Sequence, residues 1–206
     1  MEGFLVRGGE RIEGKALVDG AKNAVLPILA AAILTSDPVT IERCPRLRDV
    51  DAMESMLEML GCHCAWHGEN LTIKSSALHN WEMPDDISKQ IRSSIFLLGP
   101  ILGRLRKATV TYPGGCEIGI RPIDLHLKGL RSLGVKITDG DGLIYCDGRD
   151  MHAGDVYLDY PSVGATENVM MAAALLPGTT YIHNAAREPE IEDLQQFINA
   201  MGGSIR

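Results

Sequence analysis

The sequence predicts an α/β fold, and two observations support this class. The first is an internal repeat of three units, over residues 20–75, 85–148 and 155–206, each of which reads as helix, strand, loop, helix, glycine and strand. The second is the periodicity of the apolar residues, which is helical in some segments and alternates as in a strand in others. Because a repeated unit of this kind buries its apolar face against its neighbours, we expect the three units to pack on one another.

The first unit sets the pattern for the other two. It begins with Gly20-Ala21-Lys22-Asn23, an alanine-rich helix and the predicted strand Val39-Thr40-Ile41. Asp49 stands where an acid opens the second helix. Along that helix, residues 50–60 place four apolar side chains on one face at helical spacing, namely Met53, Met56, Leu57 and Leu60. This face is predicted to lie in the core, and Gly61 suits the position that ends the helix.

The later units repeat this order with different residues. In the middle unit we expect a very apolar helix from Ile95 to Leu102, and Gly134 suits the end of its second helix. In the third unit, Gly164-Ala165-Thr166-Glu167 corresponds to the start of the first unit. Asp193 is predicted to open the last helix, as an N-cap or first-turn acid.

Composition narrows the classes of function. The chain has 206 residues, of which 45% are apolar and 23% charged, and its net charge is −7. A protein that binds nucleic acid through its backbone needs a basic face, so this acidic balance argues against nucleic acid as a partner. It leaves an anionic substrate open, because a few local Lys and Arg residues can outweigh the global charge inside a cleft.

The sequence shows no sign of export or of membrane association. The first residues lack a basic segment followed by an apolar core, so we expect no signal peptide. The longest apolar stretch, Ala24 to Leu34, is too short to span a bilayer and contains Pro27. The five cysteines, an odd number, favour free thiols in a reducing compartment, and we therefore expect a cytoplasmic protein.

The segment Cys62-His63-Cys64, with His67 nearby, raises the question of a metal site. Paired zinc-binding cysteines usually stand two to four residues apart, and this spacing is shorter. Cys62, Cys64 and Trp66 also alternate with polar or small residues, as the side chains of a strand do. We therefore expect no metal here.

A glycine-rich segment carries the strongest chemical signal, at residues 113–126, which read Pro-Gly-Gly-Cys-Glu-Ile-Gly-Ile-Arg-Pro-Ile-Asp-Leu-His. Its glycines let the backbone approach a ligand closely, and the thiol of Cys116 on such a loop is accessible. Arg121 follows five residues later, and a guanidinium holds carboxylate or phosphate through two parallel hydrogen bonds. For the Gly-Gly-Cys motif alone, a surface turn with an incidental cysteine is the alternative.

The full run resembles the active-site loop of the enolpyruvyl transferase family, in the branch that acts on UDP-N-acetylglucosamine. Further blocks carry the same resemblance in order along the chain, at residues 20–24 (Gly-Ala-Lys-Asn-Ala), 91–95 (Ile-Arg-Ser-Ser-Ile), 162–166 (Ser-Val-Gly-Ala-Thr) and 184–190 (Asn-Ala-Ala-Arg-Glu-Pro-Glu). Family members have two lobes of three repeats each, with helices inside and sheets outside. The resemblance therefore implies that residues 20–206 form the first lobe, an inside-out α/β barrel, and that residues 1–19 add a strand to a missing second, C-terminal lobe.

The resemblance also implies a reaction and its partners. Members of this branch move the enolpyruvyl group of phosphoenolpyruvate to the 3-hydroxyl of UDP-N-acetylglucosamine and release phosphate, which is the first committed step of bacterial peptidoglycan synthesis. No cofactor is implied. Because the family's general base and further arginines lie in the second lobe, we expect the 206-residue chain alone to be inactive.

The family's site residues carry over onto matching positions of this chain. The residue that matches Cys116 donates a proton to the methylene carbon of phosphoenolpyruvate and is alkylated by the antibiotic fosfomycin. The remaining matches are Lys22 and Asn23 for phosphoenolpyruvate and the sugar nucleotide, Arg92 and Arg121 for anionic groups, Arg121-Pro122-Ile123-Asp124-Leu125 for the uridine, and Ser162-Val163-Gly164 for the diphosphate. Glu188 and Glu190 match acidic residues near the cleft, although capping of a helix start explains either of them as well.

Two other functions remain open at this stage. The 5-enolpyruvylshikimate-3-phosphate synthases share the fold and the phosphoenolpyruvate chemistry, but they lack the Gly-Gly-Cys loop and the Arg-Pro-x-Asp-Leu-His run. Alternatively, the chain is a non-catalytic lobe that keeps some affinity for the nucleotide.

Overall fold

A computed structural model describes residues 3–9, 11, 13–18, 20–83, 92–111 and 123–206, with the side chains of residues 92 and 93 left out. Cys116, Arg121, Pro122 and the side chain of Arg92 therefore lie outside the described part of the chain.

Helices and strands alternate along the described chain, which confirms the predicted α/β class. The α-helices are α1 (Lys22–Ala31), α2 (Arg48–Met59), α3 (Leu98–Leu105), α4 (Asp124–Ser132), α5 (Val163–Ala173) and α6 (Pro189–Ala200), and 3₁₀ helices cover Ala32–Leu34 and Arg92–Leu97. The strands are β1 (Val39–Ile41), β2 (His63–His67), β3 (Asn70–Lys74), β4 (Lys107–Thr111), β5 (Lys136–Gly140), β6 (Leu143–Asp147), β7 (Asp155–Tyr157) and β8 (Tyr181–His183).

The strands form small sheets with related topologies. Two antiparallel sheets have the orders β1-β3-β2 and β4-β6-β5, and in each the hairpin follows the second helix of its unit. The third sheet pairs β7 with β8 in parallel. Strand β4 also has a parallel neighbour, because Glu82 forms an isolated parallel bridge with Thr109.

Helices α1, α3 and α5 form the most buried part of the molecule. Seven of the ten residues of α1 are buried, and residues 165–172 of α5 are buried without interruption. A helix that is buried on all sides cannot show a polar face, which explains the nearly continuous apolar sequence of α1 and α3. Helix α3 packs closely along α5, since the N–H of Gly99 donates to Oδ1 of Asn168 at 2.8 Å.

Helices α2, α4 and α6 are amphipathic and cover this core. The predicted stripe of α2 is confirmed, because Met53, Met56, Leu57 and Leu60 are fully buried. The glycines that close the units have the left-handed backbone that glycine favours, with φ of 100° at Gly61, 86° at Gly134 and 100° at Gly202.

Two predicted helix starts are wrong. Helix α6 begins at Pro189, with Glu188 as its N-cap, so Asp193 lies one turn inside the helix and does not open it. Proline suits the first helical position because it lacks the N–H that would stay unpaired there. Helix α3 begins at Leu98 and not at Ile95, because Arg92–Leu97 forms a 3₁₀ helix, a common extension of an α-helix at its end.

The described residues between 3 and 18 form no helix or strand and are exposed. Phe4 and Leu17 have exposed fractions of 102% and 98%. The strand expected over residues 1–19, which the family resemblance pairs with a second lobe, stays a prediction. Within the described residues, every helix is too short or too polar to cross a membrane.

Candidate functional site

The first turn of α1 presents Lys22 and Asn23 to solvent. Ala21, the N-cap, has no hydrogen-bonding side chain, and the N–H of Ala24 donates to its carbonyl oxygen at 3.2 Å. Among the described residues, the N–H groups of Lys22 and Asn23 therefore stay available to a ligand. Nζ of Lys22 lies 2.8 Å from Oδ2 of Asp49, in the first turn of α2. The Lys22 side chain is 53% exposed, so this ion pair is weak and an anionic ligand can compete with Asp49 for the ammonium group.

Lys22 and Asn23 face the start of α6 across an open pocket of about 340 Å³. Pro189, Glu190 and Asp193 form the other side of this pocket. The structure thus brings Glu190 to the predicted Lys22–Asn23 site. An ammonium group, an amide and carboxylates around one space suit a ligand that carries both an anionic group and hydroxyls.

A second open pocket, of about 560 Å³, lies beside the start of α5. It is lined by Pro161, Ile182, Asn184, Ala185, Arg187 and Glu188. Pro161 directly precedes Ser162, the N-cap of α5, whose Oγ accepts a long hydrogen bond of 3.4 Å from the N–H of Ala165. Glu188 is engaged locally, because its Oε2 accepts from the N–H of Arg187 at 2.8 Å.

The described part of the uridine match, Ile123 to Leu125, begins helix α4. Ile123 and Leu125 are buried, whereas Asp124 is exposed. Of these three side chains, only that of Asp124 is therefore available to a ligand from solvent, and the other two residues can contribute their backbone groups.

Helix starts converge at one end of the described structure. The ion pair Lys22–Asp49 joins the starts of α1 and α2, and the pocket beside Lys22 joins α1 to α6. The N–H of Ala186, just before α6, donates to Oγ1 of Thr166 in α5 at 3.0 Å. Because the N-terminal end of a helix carries partial positive charge and free N–H groups, this end of the molecule favours anions.

Two buried polar residues of α5, Glu167 and Asn168, were not predicted from the sequence. The carboxylate oxygens of Glu167 have no hydrogen-bond partner among the described residues. Burial, together with the nearby Glu190 and Glu188, raises the pKa of Glu167 to about 8. The signal in the sequence was a charged residue and an amide within an apolar helix, in the run Ala165-Thr166-Glu167-Asn168-Val169.

His126 was also missed as a separate residue, although it ends the segment 113–126. Its ring is buried, and Nδ1 lies 2.9 Å from Nδ2 of Asn168. Burial lowers the pKa of His126 to about 4, against an opposing effect of Asp124. The ring is therefore neutral at physiological pH.

Comparison with known proteins gives close relatives over the whole chain. A protein-family model described as EPSP synthase (3-phosphoshikimate 1-carboxyvinyltransferase) matches residues 6–206. The chain is 50% identical over 202 residues to UDP-N-acetylglucosamine 1-carboxyvinyltransferase 2 of Caldanaerobacter subterraneus subsp. tengcongensis, which covers 98% of this chain and 48% of the relative. It is 50% identical over 211 residues to UDP-N-acetylglucosamine 1-carboxyvinyltransferase 1 of Symbiobacterium thermophilum, covering 100% and 48% of the two chains. The chain thus spans about half the length of the curated relatives it matches.

Solved structures support the same fold. The enolpyruvyl transferase NikO from Streptomyces tendae superposes with a TM-score of 0.83 at 24% identity, over 97% of this chain and 47% of that one. EPSP synthase from Acinetobacter baumannii superposes with a TM-score of 0.66 at 18% identity, over 87% and 42%. At these identities the likeness concerns the fold alone.

Proposed function

The chain belongs to the EPSP synthase family of enolpyruvyl transferases, and from this premise we propose that it supplies half of the active site of a UDP-N-acetylglucosamine enolpyruvyl transferase. The enzyme would move the enolpyruvyl group of phosphoenolpyruvate to the 3-hydroxyl of UDP-N-acetylglucosamine and release phosphate, in peptidoglycan synthesis. Relatives with this printed name are 45–50% identical to the chain, which supports this acceptor over shikimate 3-phosphate.

One observation of the structure supports the proposal most strongly, namely the pocket at the start of α1. Lys22 and Asn23 stand on the positive end of a helix, and the ammonium group of Lys22 pairs with the partly exposed carboxylate of Asp49. Phosphoenolpyruvate carries a phosphate and a carboxylate, so it can displace Asp49 and take both the ammonium group and the free N–H groups of the first turn. Asn23 and Glu190 would then face the sugar hydroxyls.

The nucleotide would lie toward the starts of α4 and α5. Asp124 and the backbone of residues 121–125 would hold the uridine, and Ser162, Val163 and Gly164 would hold the diphosphate. This assignment is supported by the exposure of Asp124 and by the free first turn of α5, where the bond from Ala165 to Ser162 is long. Glu188, beside the second pocket, would support the loop before α6.

Cys116 would be the proton donor to the methylene carbon of phosphoenolpyruvate, and Arg92 and Arg121 would hold the anionic groups of the substrates. Cys116, Arg121 and the side chain of Arg92 lie outside the described part of the chain, so their roles rest on the family match of the sequence. The general base for the acceptor hydroxyl and the remaining arginines would come from the second lobe.

The finer architecture is part of the same proposal. Residues 20–206 would form one lobe of three repeats, with helices inside and sheets outside, and residues 1–19 would pair with a second, C-terminal lobe. The sheet orders β1-β3-β2 and β4-β6-β5 and the buried helices α1, α3 and α5 support the three repeats. The exposed apolar side chains of Phe4 and Leu17 support a partner for the first residues. We place the enzyme in the bacterial cytoplasm, where free thiols persist.

The Cys116→Ser variant tests the proposed chemistry in the two-lobed protein, that is, the proposed enzyme with both this lobe and the second, C-terminal lobe. A hydroxyl is a far weaker proton donor than a thiol at neutral pH, so we expect turnover to fall by a factor of at least about 100. The assay measures phosphate release from phosphoenolpyruvate in the presence of UDP-N-acetylglucosamine, with Cys146→Ser as the matched control. Full activity of Cys116→Ser would remove this thiol from the mechanism.

A further inference from the structure

We propose that Asn168 is a positioning residue that holds His126 in the tautomer protonated on Nε2, and that this N–H donates to a phosphate group bound at the start of α5. The proposal deepens the proposed function, because it adds a donor to the region assigned to the diphosphate. Its structural half, the tautomer, does not depend on the identity of the ligand.

The orientation of the Asn168 amide is fixed by its neighbours. The backbone N–H of Gly99 can only donate, and it lies 2.8 Å from Oδ1. The amide nitrogen Nδ2 then faces two acceptors, Nδ1 of His126 at 2.9 Å and the carbonyl oxygen of Gly164 at 3.3 Å. A flipped amide would place N–H groups against the N–H of Gly99 and an oxygen against a carbonyl, so only one orientation satisfies all three contacts.

This orientation determines the protonation of the imidazole. The amide nitrogen has protons and no lone pair to accept with, so Nδ1 of His126 must accept. A neutral imidazole that accepts at Nδ1 carries its proton on Nε2. Asn168 has no exposed surface and His126 is 8% exposed, so water does not compete for this contact.

The charge state of the ring follows from its surroundings. The titratable side chains on α4 and on the elements packed against it are Asp124, Lys128 and Arg131 on α4, Glu167 on α5, Lys136 and Asp139 on β5, and Asp155 and Tyr157 on β7. Among these groups, Asp124 raises the pKa of the ring. Burial lowers it more strongly, because it disfavours the charged form, and this keeps the imidazole neutral. Nε2–H is thus a donor whose availability does not change between pH 6 and pH 8.

The protonated edge of the ring lies against the first turn of α5. A Cβ placed on Gly164 would lie 2.9 Å from Cε1 and 3.2 Å from Nε2 of His126, so only glycine lets the ring come this close. Among the described residues, the ring's hydrogen bond is the one at Nδ1, which leaves Nε2–H for a ligand. The first N–H groups of α5 stand beside it, and together they form a set of donors that suits phosphate oxygens.

Nitrogen-15 NMR of the histidine-labelled protein tests the tautomer directly. We expect an unprotonated Nδ1 and a protonated Nε2 for His126 at pH 7, and a shift of the Nε2–H signal on addition of UDP-N-acetylglucosamine or of inorganic pyrophosphate. A protonated Nδ1, or an Nε2–H that responds to neither ligand, overturns the proposal. A response to pyrophosphate without one to UDP-N-acetylglucosamine supports it while contradicting the proposed function.

The Asn168→Asp variant separates positioning from mere packing. A carboxylate can only accept, so Nδ1 must become protonated, and the neutral ring then turns an unprotonated Nε2 toward the phosphate. We expect the affinity for UDP-N-acetylglucosamine to fall by about 10- to 100-fold at pH 8, and to recover at lower pH as the ring becomes an imidazolium that donates again at Nε2. The wild type should show no such titration.

Asn199→Asp is the matched control, because Asn199 also bonds backbone groups but lies at the far end of α6. We expect it to bind with wild-type affinity and pH dependence. An equal loss at every pH in Asn168→Asp would show a structural role only and would overturn the positioning role.

Discussion

Cys44, Cys62, Cys64 and Cys146 are all buried, and burial raises the pKa of each thiol. The pKa is about 11 for Cys44 and Cys62 and about 12 for Cys64 and Cys146. The thiolate is the reactive form, and at pH 8 it is at most about a thousandth of each of these groups. These cysteines are thus inert in the folded protein.

We therefore predict that Cys116, on its glycine-rich segment, is the thiol that alkylating reagents modify first. Peptide mapping after brief treatment with iodoacetamide at pH 8 measures this. In urea all five cysteines should react at similar rates, which serves as the control. Early labelling of Cys62 or Cys146 in the folded protein would count against the prediction.

Glu167 makes stability depend on pH. Its pKa rises from the ordinary value to about 8 on folding, so the folded state binds a proton that the unfolded chain releases near pH 4.5. The contribution to stability is complete below about pH 4.5 and is lost as pH rises toward 8. We predict that Glu167→Gln removes this loss. It should raise the free energy of unfolding at pH 8 by a few kcal/mol, because the rise in the pKa of Glu167 on folding corresponds to an energy of that order.

Urea denaturation between pH 5 and pH 8.5 measures the effect. Glu192→Gln, at an exposed position of α6, should keep the pH dependence of the wild type, because Glu192 is not among the groups that raise the pKa of Glu167. A wild-type stability that does not fall between pH 5 and pH 8 would mean that Glu167 is ionised and paired in the folded protein.

The sequence was informative about residues at helix starts and uninformative about buried polar ones. Lys22 and Asn23 could be predicted because their position in the repeat places them at the first turn of a helix. The burial of Glu167, Asn168 and His126 depends on how closely α3, α4 and α5 pack. That distance is a tertiary property, and the repeat does not encode it.

At the scale of elements, α3 and α5 pack very closely at Gly99. Among the described glycines, a Cβ added at Gly99 would come nearest to another atom. A Cβ on Gly99 would collide with the backbone oxygen of Asn168, which cannot move without its helix. We predict that Gly99→Ala forces the two helices apart and lowers the free energy of unfolding by about 1–3 kcal/mol. Chemical denaturation provides the measurement.

Gly154→Ala is the control for this change, because the nearest atom to its added Cβ is 3.9 Å away, on the His152 ring. It should unfold like the wild type to within about 0.5 kcal/mol. An equally stable Gly99→Ala variant would mean that the helices tolerate a wider separation than the structure shows.

Element types followed from the sequence more reliably than element boundaries did. The stripe of α2 was predicted correctly, because side chains at helical spacing must share a face whatever surrounds them. The start of α6 was misplaced because the repeat aligned Asp193 with Asp49, whereas Pro189 at the first helical position decides where that helix begins. Local backbone chemistry there outweighs the analogy between units.

At the scale of the whole molecule, the proposed function makes the described structure one side of a site. The starts of α1 and α6 meet at an open pocket, and an ion pair joins the start of α2 to that of α1. The chain spans about half the length of its curated relatives. Catalysis needs both substrates held in register and shielded from water, and losing that positioning costs several orders of magnitude in rate. We therefore predict that the 206-residue chain alone gives no detectable turnover, while the two-lobed protein does.

The most direct test of the proposed activity is the choice of acceptor by the two-lobed protein. Phosphate release from phosphoenolpyruvate is measured with UDP-N-acetylglucosamine or with shikimate 3-phosphate, and the product mass is checked in each case. We expect release with UDP-N-acetylglucosamine, matched by its enolpyruvyl ether, and none above background with shikimate 3-phosphate. Release with shikimate 3-phosphate, or none with UDP-N-acetylglucosamine, would contradict the proposed function.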